Sequence, residues 1–237
     1  MLVRSRQPEL MDDPSLDSAE HARALAGLAR LNSISGSANL IWRPIRRLHD
    51  ELARPLRTLE LACGRGDVSL ALNQMAISSG RHVEFDGTDI SPRAIDFARL
   101  QAERQGARSR YFVLDALNDE LPQDYDVIMT SLFLHHLKES TAIALMRKMA
   151  TAAKELVIIN DLTRSQTSLL LVKFACQLLS RSHVVHFDGP ASVRNSFTPS
   201  ELLKLAEQAG LRGGHVKEQF PCLMLFSWRQ EEREREP

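Results

Sequence analysis

The nine residues "LELACGRGD", from Leu59 to Asp67, join the end of an apolar run to two glycines and two acids. Glycines let a ligand approach the backbone closely, whereas carboxylates repel phosphate. A dinucleotide-binding loop would read GxGxxG, but Ser69 stands at the third glycine position and Glu60 would face the pyrophosphate. No Walker lysine follows the stretch. These residues favour a ligand that has a cationic centre, a ribose and an adenine but no phosphate.

Strand-like runs alternate with helical patterns from Arg57 onwards. Parallel strands need a connection of roughly ten or more residues, so this alternation predicts an α/β fold with a doubly wound, mostly parallel sheet. Such sheets bind ligands at the carboxyl ends of their strands, where "LELACGRGD" falls. The seven predicted strands lie in "RTLELAC", "HVEFDGTD", "SRYFVLDA", "YDVIMTS", "ELVIIND" and a hairpin made of "RGGHVKEQ" and "PCLMLFSW".

The remaining segments flank or interrupt this alternation. Residues 1–55 are predicted to form an arm and a helical cap in front of the sheet domain, residues 56–230. Ser18 is the expected N-cap of the first helix, and Pro44 is expected to start or kink the second. Within the domain, residues 162–197 are predicted to form an inserted lid of helices. The charged residues 231–237 are predicted to be a disordered tail.

Composition narrows the choice of partners and compartment. Thirty basic and 30 acidic residues balance to a net charge of zero, so no overall field attracts nucleic acid or anionic lipid. Cys63, Cys176 and Cys222 include no CxxC pair, which disfavours a zinc knuckle and a disulfide framework. The apolar run from Leu169 to Leu179 contains Lys173 and is too short to cross a bilayer. We therefore expect a soluble, cytoplasmic protein without a nucleic-acid or membrane partner.

A family resemblance identifies the ligand. The stretch from Glu60 to Gly66 resembles the first motif of class I S-adenosylmethionine-dependent methyltransferases, although Ala62 stands where that family usually has its first glycine. Two further acids follow in the family's order. Asp89 in "FDGTDIS" matches the acid that binds both ribose hydroxyls, and Asp115 in "YFVLDAL" matches the acid that takes the adenine amino group. The resemblance covers roughly residues 57–161 and implies a Rossmann-like fold.

The same resemblance implies a cofactor site for S-adenosylmethionine. Ile90 is expected against the adenine face, backbone at Ala116 beside the adenine, backbone near Thr130 and Ser131 along the methionine portion, and Arg43 at its carboxylate. An alternative reading makes Asp89 and Asp115 simple caps of the segments that follow them. The complete expected set is Glu60, Ala62, Gly64, Gly66, Asp89, Ile90, Asp115, Ala116, Thr130, Ser131 and Arg43.

Candidate catalytic residues follow from the chemistry of methyl transfer. The reaction is an in-line displacement, so a base is needed only where the acceptor is a hydroxyl or phenol. His135 follows the fourth strand and is the candidate base by resemblance, with Asp161 and His186 as further candidates. Each also has a structural reading, His135 as a turn residue and Asp161 as a cap. His183 and His186 are spaced for a metal pair, but nothing nearby completes a ligand set, so no metal is expected.

Segments outside the motifs indicate the acceptor. Leu170, Phe174 and Leu178 share one helical face, and with Trp42 and Ile45 they would form an apolar lid, unless they are ordinary core residues. An apolar lid predicts a small apolar or aromatic acceptor. The flanking segments resemble bacterial methyltransferases of natural-product or quinone-type pathways, which belong to secondary metabolism.

Three classes of function remain open from the sequence: a methyltransferase, a non-catalytic cofactor-binding protein and an oxidoreductase. O-methylation of a phenol, quinone precursor or polyketide-like acceptor is the favoured activity, with C-methylation of an activated ring close behind. The fourth strand continues as "MTSLFLHHL" and lacks the "NPPY" type of sequence that grips a planar amino group, which disfavours nucleic-acid and protein substrates. A non-catalytic cofactor-binding protein that acts in a complex and an NAD-dependent oxidoreductase are the alternatives.

Overall fold

The computed structural model describes residues 2–13 and 16–230. The expected disordered tail, residues 231–237, lies outside the described residues. Seven strands form one sheet: β1 Leu56–Leu61, β2 Val83–Asp89, β3 Tyr111–Val113, β4 Val127–Ser131, β5 Leu156–Leu162, β6 His215–Gln219 and β7 Leu223–Arg229. Their order is β3-β2-β1-β4-β5-β7-β6. β1 to β5 are parallel, and the hairpin β6–β7 joins β5 in antiparallel fashion. The predicted Rossmann-like α/β fold is confirmed.

Helices cover both faces of the sheet. They are α1 Ser18–Ser35, α2 Ser37–Leu52, α3 Asp67–Ser78, α4 Pro92–Gln105, α5 Glu139–Ala152, α6 Gln166–Leu179, α7 His183–Asn195 and α8 Pro199–Ala209. One core cluster joins α5 and α8 to the sheet, and a second joins α2 and α3 to its other face. A small separate cluster joins α1, α6 and α7. None of the helices in the described part of the chain is long and apolar enough to span a membrane.

The N-terminal helices differ from the prediction in two ways. Asp17, not Ser18, is the N-cap of α1, because its carboxylate accepts the N–H groups of the first turn. Pro44 lies inside α2, which excludes only the alternative in which it starts that helix. Trp42 and Ile45 were predicted to close a lid, but they are 6% and 0% exposed and pack against the sheet, with the Trp42 ring 6.4 Å from that of Phe85. That part of the lid prediction was wrong.

α6 presents its predicted inner face to solvent. Leu170, Phe174 and Leu178 are 68%, 66% and 70% exposed, whereas Cys176 on the opposite side is buried in the cluster with α1 and α7. The prediction failed because α6 is apolar around most of its circumference, so periodicity groups the residues of one face without showing which face turns inward.

Lid helices were predicted within residues 162–197, but α7 was not delimited from the sequence, because Gly189 and Pro190 lie in its interior and both disfavour helices. Gly189 is required by packing. A side chain at this position would place its Cβ 2.4 Å from the Cys176 sulfur of α6. The glycine thus allows α6 and α7 to approach each other closely.

Residues 2–13 form an arm that lies across α7 and contains one 3₁₀ turn, Leu10–Asp12. The Asp188 carboxylate accepts the N–H groups of Leu10 and Met11 at 2.7 and 3.0 Å. Asn195 binds Gln7 twice, donating from Nδ2 to its carbonyl and accepting its N–H at Oδ1, both at 2.9 Å. Asp188 and Asn195 are buried, and a buried polar group needs such partners. The arm is therefore a specific part of the fold.

Glu60 connects β1 to the first turn of α3. Its side chain is buried, and its Oε2 accepts the N–H of Ser69 at 3.0 Å. Burial raises the pKa of Glu60 to about 8, although the Ser69 hydrogen bonds act in the opposite direction. The carboxyl group is therefore neutral in the folded protein over a pH range in which it would be charged in the unfolded chain.

Replacing Glu60 by glutamine removes this titration. The folded-state pKa of about 8 exceeds the ordinary 4.5, so the stability linked to protonated Glu60 is fully present below pH 4.5 and is lost as the pH rises through 8. We expect Glu60→Gln to raise the melting temperature relative to the wild type at about pH 9 but not at about pH 4. Glu84→Gln, which removes an exposed strand carboxylate, is the control. An equal shift at both pH values would contradict the assignment.

Candidate active site

The carboxyl ends of the parallel strands lie level along one edge of the sheet. Leu61 at the end of β1 pairs with Thr88 on one side and Thr130 on the other. Ser131 of β4 pairs with Asn160 of β5. The direction of strand succession reverses between β1 and β4, and ligands of doubly wound sheets bind at such a switch point.

The loop after β1 needs left-handed backbone at three positions. Ala62, Gly64 and Gly66 have φ angles of 53°, 54° and 76°. A Cβ atom makes this conformation cost roughly 1–2 kcal/mol, which explains why the related family usually has glycine at the position of Ala62. A Cβ at Gly66 would also lie 2.9 Å from the Tyr111 ring. The loop is thus held close against β3 and leads directly into α3.

Asp89 lies between this loop and the start of α4. Its Oδ2 accepts the N–H of Gly64, and its Oδ1 accepts the N–H of Ser91, both at 2.9 Å. Each carboxylate oxygen has two lone pairs, so each retains one for a further donor. The carboxylate therefore caps the backbone, as the alternative reading held, and keeps acceptor capacity for two hydroxyl groups. Ile90 beside it is 64% exposed.

Asp115 caps the turn after β3. Its Oδ2 accepts from Asn118 Nδ2 at 2.7 Å, and its Oδ1 accepts the N–H of Leu117 at 2.9 Å. The Asn118 bond, followed by the backbone bonds, holds the pKa of Asp115 below its usual range. Ala116 follows it and is buried. The structure shows the capping role of Asp115, and its role toward adenine stays a prediction.

The side chains of Thr130 and Ser131, two of the expected cofactor residues, form hydrogen bonds within the protein, and Arg43 lies away from the glycine loop. The Thr130 hydroxyl donates to the carbonyl of Leu61 at 3.0 Å, and Asn160 Nδ2 donates to Ser131 Oγ at 2.8 Å, so these side chains join neighbouring strands. Arg43 is exposed and lines a different groove, whose other lining residues include Arg46, Met75 and Gln219. The structure does not bring Arg43 to the glycine loop.

His135 and Asp161 form a buried pair at the same edge. His135 Nδ1 lies 2.6 Å from Asp161 Oδ1, and the His135 backbone N–H donates to Oδ2 at 2.9 Å. Because the Asp161 carboxylate binds both the ring and the backbone of His135, it fixes the orientation of the imidazole ring. Its Nε2 lies 3.7 Å from Glu9 Oε1, and that oxygen accepts from Ser192 Oγ at 2.6 Å. No sequence pattern singled out Glu9, which is one of three acids in the N-terminal arm.

These polar groups close one end of a mainly apolar cavity of about 320 Å³. The arm, α1, α6, α7, the loop after β4, the end of β5 and the β6–β7 turn build its wall. Its lining residues are Glu9, Leu28, Leu31, Ile34, Ser35, Leu132, His135, His136, Leu162, Leu171, Val172, Ala175, Cys176, Gly189, Ser192, Pro221, Cys222 and Leu223. The inner wall of α6 thus consists of Leu171, Val172, Ala175 and Cys176.

His186 is not part of this cavity. Its side chain is exposed, and Nε2 lies 2.8 Å from the carbonyl oxygen of Ser180. His186 therefore binds backbone, and the structure does not bring it to His135 and the cavity. The cavity thiols are not poised as nucleophiles either, because burial raises the pKa of Cys176 to about 11 and that of Cys222 above its usual range.

Comparison with known proteins supports the reading of the sheet edge. A family profile described as a methyltransferase domain matches residues 58–155. The demethylmenaquinone methyltransferase of Thermus thermophilus is 37% identical over 86 residues, which cover 35% of this chain and 36% of that protein. The match to this curated relative thus spans about a third of its length.

Solved structures share the fold over nearly the whole chain. The plantazolicin methyltransferase BamL, solved with S-adenosylhomocysteine, has a TM-score of 0.69 at 17% identity and covers 90% of this chain and 91% of its own. The magnesium protoporphyrin IX methyltransferase of Synechocystis has a TM-score of 0.57 at 15% identity, with coverages of 92% and 90%. Residues 58–155 are thus similar to a methyltransferase domain, and the fold is shared with methyltransferases, one of them solved with S-adenosylhomocysteine.

Proposed function

We propose that this protein transfers the methyl group of S-adenosylmethionine to a hydroxyl oxygen of a small apolar or aromatic acceptor. The cavity is the observation that carries the proposal. It is apolar except at one end, and that end is formed by His135, His136 and Glu9 next to the strand β4. Its volume of about 320 Å³ falls within the range of small-molecule sites.

The sheet edge supports the cofactor assignment. Asp89 keeps one free lone pair on each oxygen for the two ribose hydroxyls, and exposed Ile90 offers an apolar surface for the adenine. The bare backbone around Gly64 and Gly66 allows the methionine portion to approach. Leu132 follows β4 directly and lines the acceptor cavity, so the two ligands would meet at this strand end.

Methyl transfer depends more on the alignment of the acceptor with the methyl group than on a catalytic acid or base. The acceptor oxygen must face the methyl group on the side opposite to the sulfur, and water must be excluded. Apolar walls from α1, α6 and α7 supply the exclusion. The hydroxyl belongs at the end formed by His135 and Glu9, because the other lining groups are apolar or small side chains, two serines and two thiols. Asp161 acts through His135 by fixing the direction of its ring.

The names of similar proteins agree with this acceptor class. The curated relative is named for demethylmenaquinone, and BamL for the natural product plantazolicin. On this basis we propose a quinone precursor, phenol or polyketide-like molecule as the acceptor, and the proposed setting is secondary metabolism in the cytoplasm.

A cofactor-binding protein without turnover is the second candidate. The exposed apolar face formed by Leu170, Phe174 and Leu178 favours it, because large exposed apolar patches mark contact surfaces. Release of S-adenosylhomocysteine in the presence of a panel of phenols and quinones separates the two candidates. Turnover with any hydroxyl acceptor excludes the second one, whereas cofactor binding without turnover across the panel favours it.

Removing the Asp89 carboxylate tests the cofactor site. Two hydrogen bonds worth about 1 kcal/mol each would be lost, so Asp89→Ala should bind S-adenosylhomocysteine at least roughly tenfold more weakly in calorimetric titration. Asp96→Ala, on the exposed face of α4, is the matched control and should bind like the wild type. Thermal melting checks that the loop held by Asp89 still folds. Unchanged affinity in Asp89→Ala would refute the ribose assignment.

Filling the cavity tests the acceptor site. Ala175 lines the cavity, whereas Gln177 on the same helix is exposed. Ala175→Phe should lower turnover of the best acceptor at least roughly tenfold while affinity for S-adenosylhomocysteine stays within about twofold, because the bulk occupies only the acceptor's space. Gln177→Phe should leave both quantities unchanged. Unchanged acceptor turnover in a folded Ala175→Phe variant would contradict the assignment of the cavity.

A further inference from the structure

We propose that Glu9, His135 and His136 bind a divalent transition-metal ion at the polar end of the acceptor cavity. One ligand atom from each residue lies within 4.8 Å of the other two. All three side chains line the cavity. Two of the ligands come from the turn after β4 and the third from the N-terminal arm, so the site exists only when the arm is in place.

His135 is oriented as a metal ligand. Metal-binding histidines commonly donate their second ring N–H to a carboxylate, which fixes the tautomer and raises the basicity of the free nitrogen. Asp161 occupies this position, 2.6 Å from His135 Nδ1. Nε2 is then the nitrogen that faces the cavity, and its nearest carboxylate oxygen is Glu9 Oε1.

The spacing of the donor atoms fits a small cation. His135 Nε2 and Glu9 Oε1 are 3.7 Å apart, too far for a hydrogen bond between them. Two ligands of a tetrahedral zinc ion lie roughly 3.3 Å apart, given metal–ligand distances of about 2.0–2.1 Å. A shift of a few tenths of an ångström in the Glu9 side chain would therefore complete the pair. The His136 ring lies 4.3 Å from the His135 ring, centroid to centroid, and supplies the third donor.

The donor set indicates the kind of ion. Two imidazoles and one carboxylate suit Zn(II), Mn(II), Fe(II) or Co(II) better than Mg(II) or Ca(II), which prefer oxygen ligands. Three protein ligands also leave a coordination position open toward the cavity, as in catalytic rather than structural metal sites. Ser192 donates to Glu9 Oε1 at 2.6 Å and thereby holds the carboxylate at the site.

The role of the ion rests on the proposed function, whereas its binding does not. An acceptor oxygen at the open position would meet a Lewis acid that lowers the pKa of its hydroxyl. The methyl C–S bond then breaks as the C–O bond forms, S-adenosylhomocysteine leaves, and the hydroxyl proton passes to bulk water. In this arrangement His135 serves as a ligand, so no side-chain base is required.

Metal titration of the full chain tests the site directly. After treatment with a chelator, calorimetric titration with Zn(II), Mn(II) and Co(II) should give one bound ion per chain for at least one of them. Co(II) should also give visible absorption bands of a coordinated ion. Glu9→Gln and His136→Gln should each weaken binding at least roughly tenfold, a loss typical of ligand removal. His135 is left intact, because its removal would strand the buried Asp161 carboxylate.

The outer histidines provide the matched control. His183→Gln and His186→Gln alter an exposed pair of the spacing that suits a metal and should leave binding unchanged. The site is overturned if no ion binds stoichiometrically, or if binding survives both ligand variants while thermal melting shows them folded. Titration with S-adenosylhomocysteine keeps the two proposals apart. Cofactor binding without metal binding removes only the metal site, and metal binding without cofactor binding removes only the proposed function.

Discussion

Buried or half-buried carboxylates at the ends of the strands determine the shape of the whole functional edge. A carboxylate removed from water must find N–H donors, and in this fold the nearest donors are the backbone groups of the following loops. Glu60 binds the first turn of α3, Asp89 binds Gly64 across the loop, and Asp161 binds the backbone of His135. The requirement to satisfy each acid thus sets the course of each loop and leaves the carboxylates gathered at one edge.

A second assembly, built from chain segments far apart in sequence, stands on that edge. The arm, α1, α6 and α7 have their own small apolar cluster, and Asp188 and Asn195 of α7 hold the arm against that helix. Arg164 contributes as well, donating to the carbonyl of Leu2 at 2.9 Å. The cavity lies between this assembly and the sheet, so its polar end depends on residues from both. Glu9 reaches His135 only because the arm is fixed along α7.

The sequence predicted best where a local pattern has one physical meaning. Apolar runs with helices between them led to the correct sheet, and the acids of the motif lie at the expected strand ends. Prediction failed where the pattern does not determine how a helix is rotated about its axis or which distant residue it packs against. Periodicity placed Leu170 and Phe174 on one face of α6 but did not show whether that face turns toward the core or toward solvent. The α7 helix was not delimited because Gly189 disfavours a helix, and the close packing against Cys176 that requires this glycine cannot be read from the sequence. No local sequence pattern marks Glu9 as a site residue, since its neighbours in the site, His135 and Ser192, are far from it in the sequence.

The cofactor edge of the sheet and the assembly of the arm, α1, α6 and α7 also differ in how far the family profile matches them. The matched residues, 58–155, contain the glycine loop and all three acids expected at the cofactor, Glu60, Asp89 and Asp115. Of the residues that line the cavity, only Leu132, His135 and His136 lie within that range. The rest come from segments on either side of it. Under the proposed function, the matched part binds the donor of the methyl group, while the unmatched segments, by their shape and by Glu9, select the acceptor.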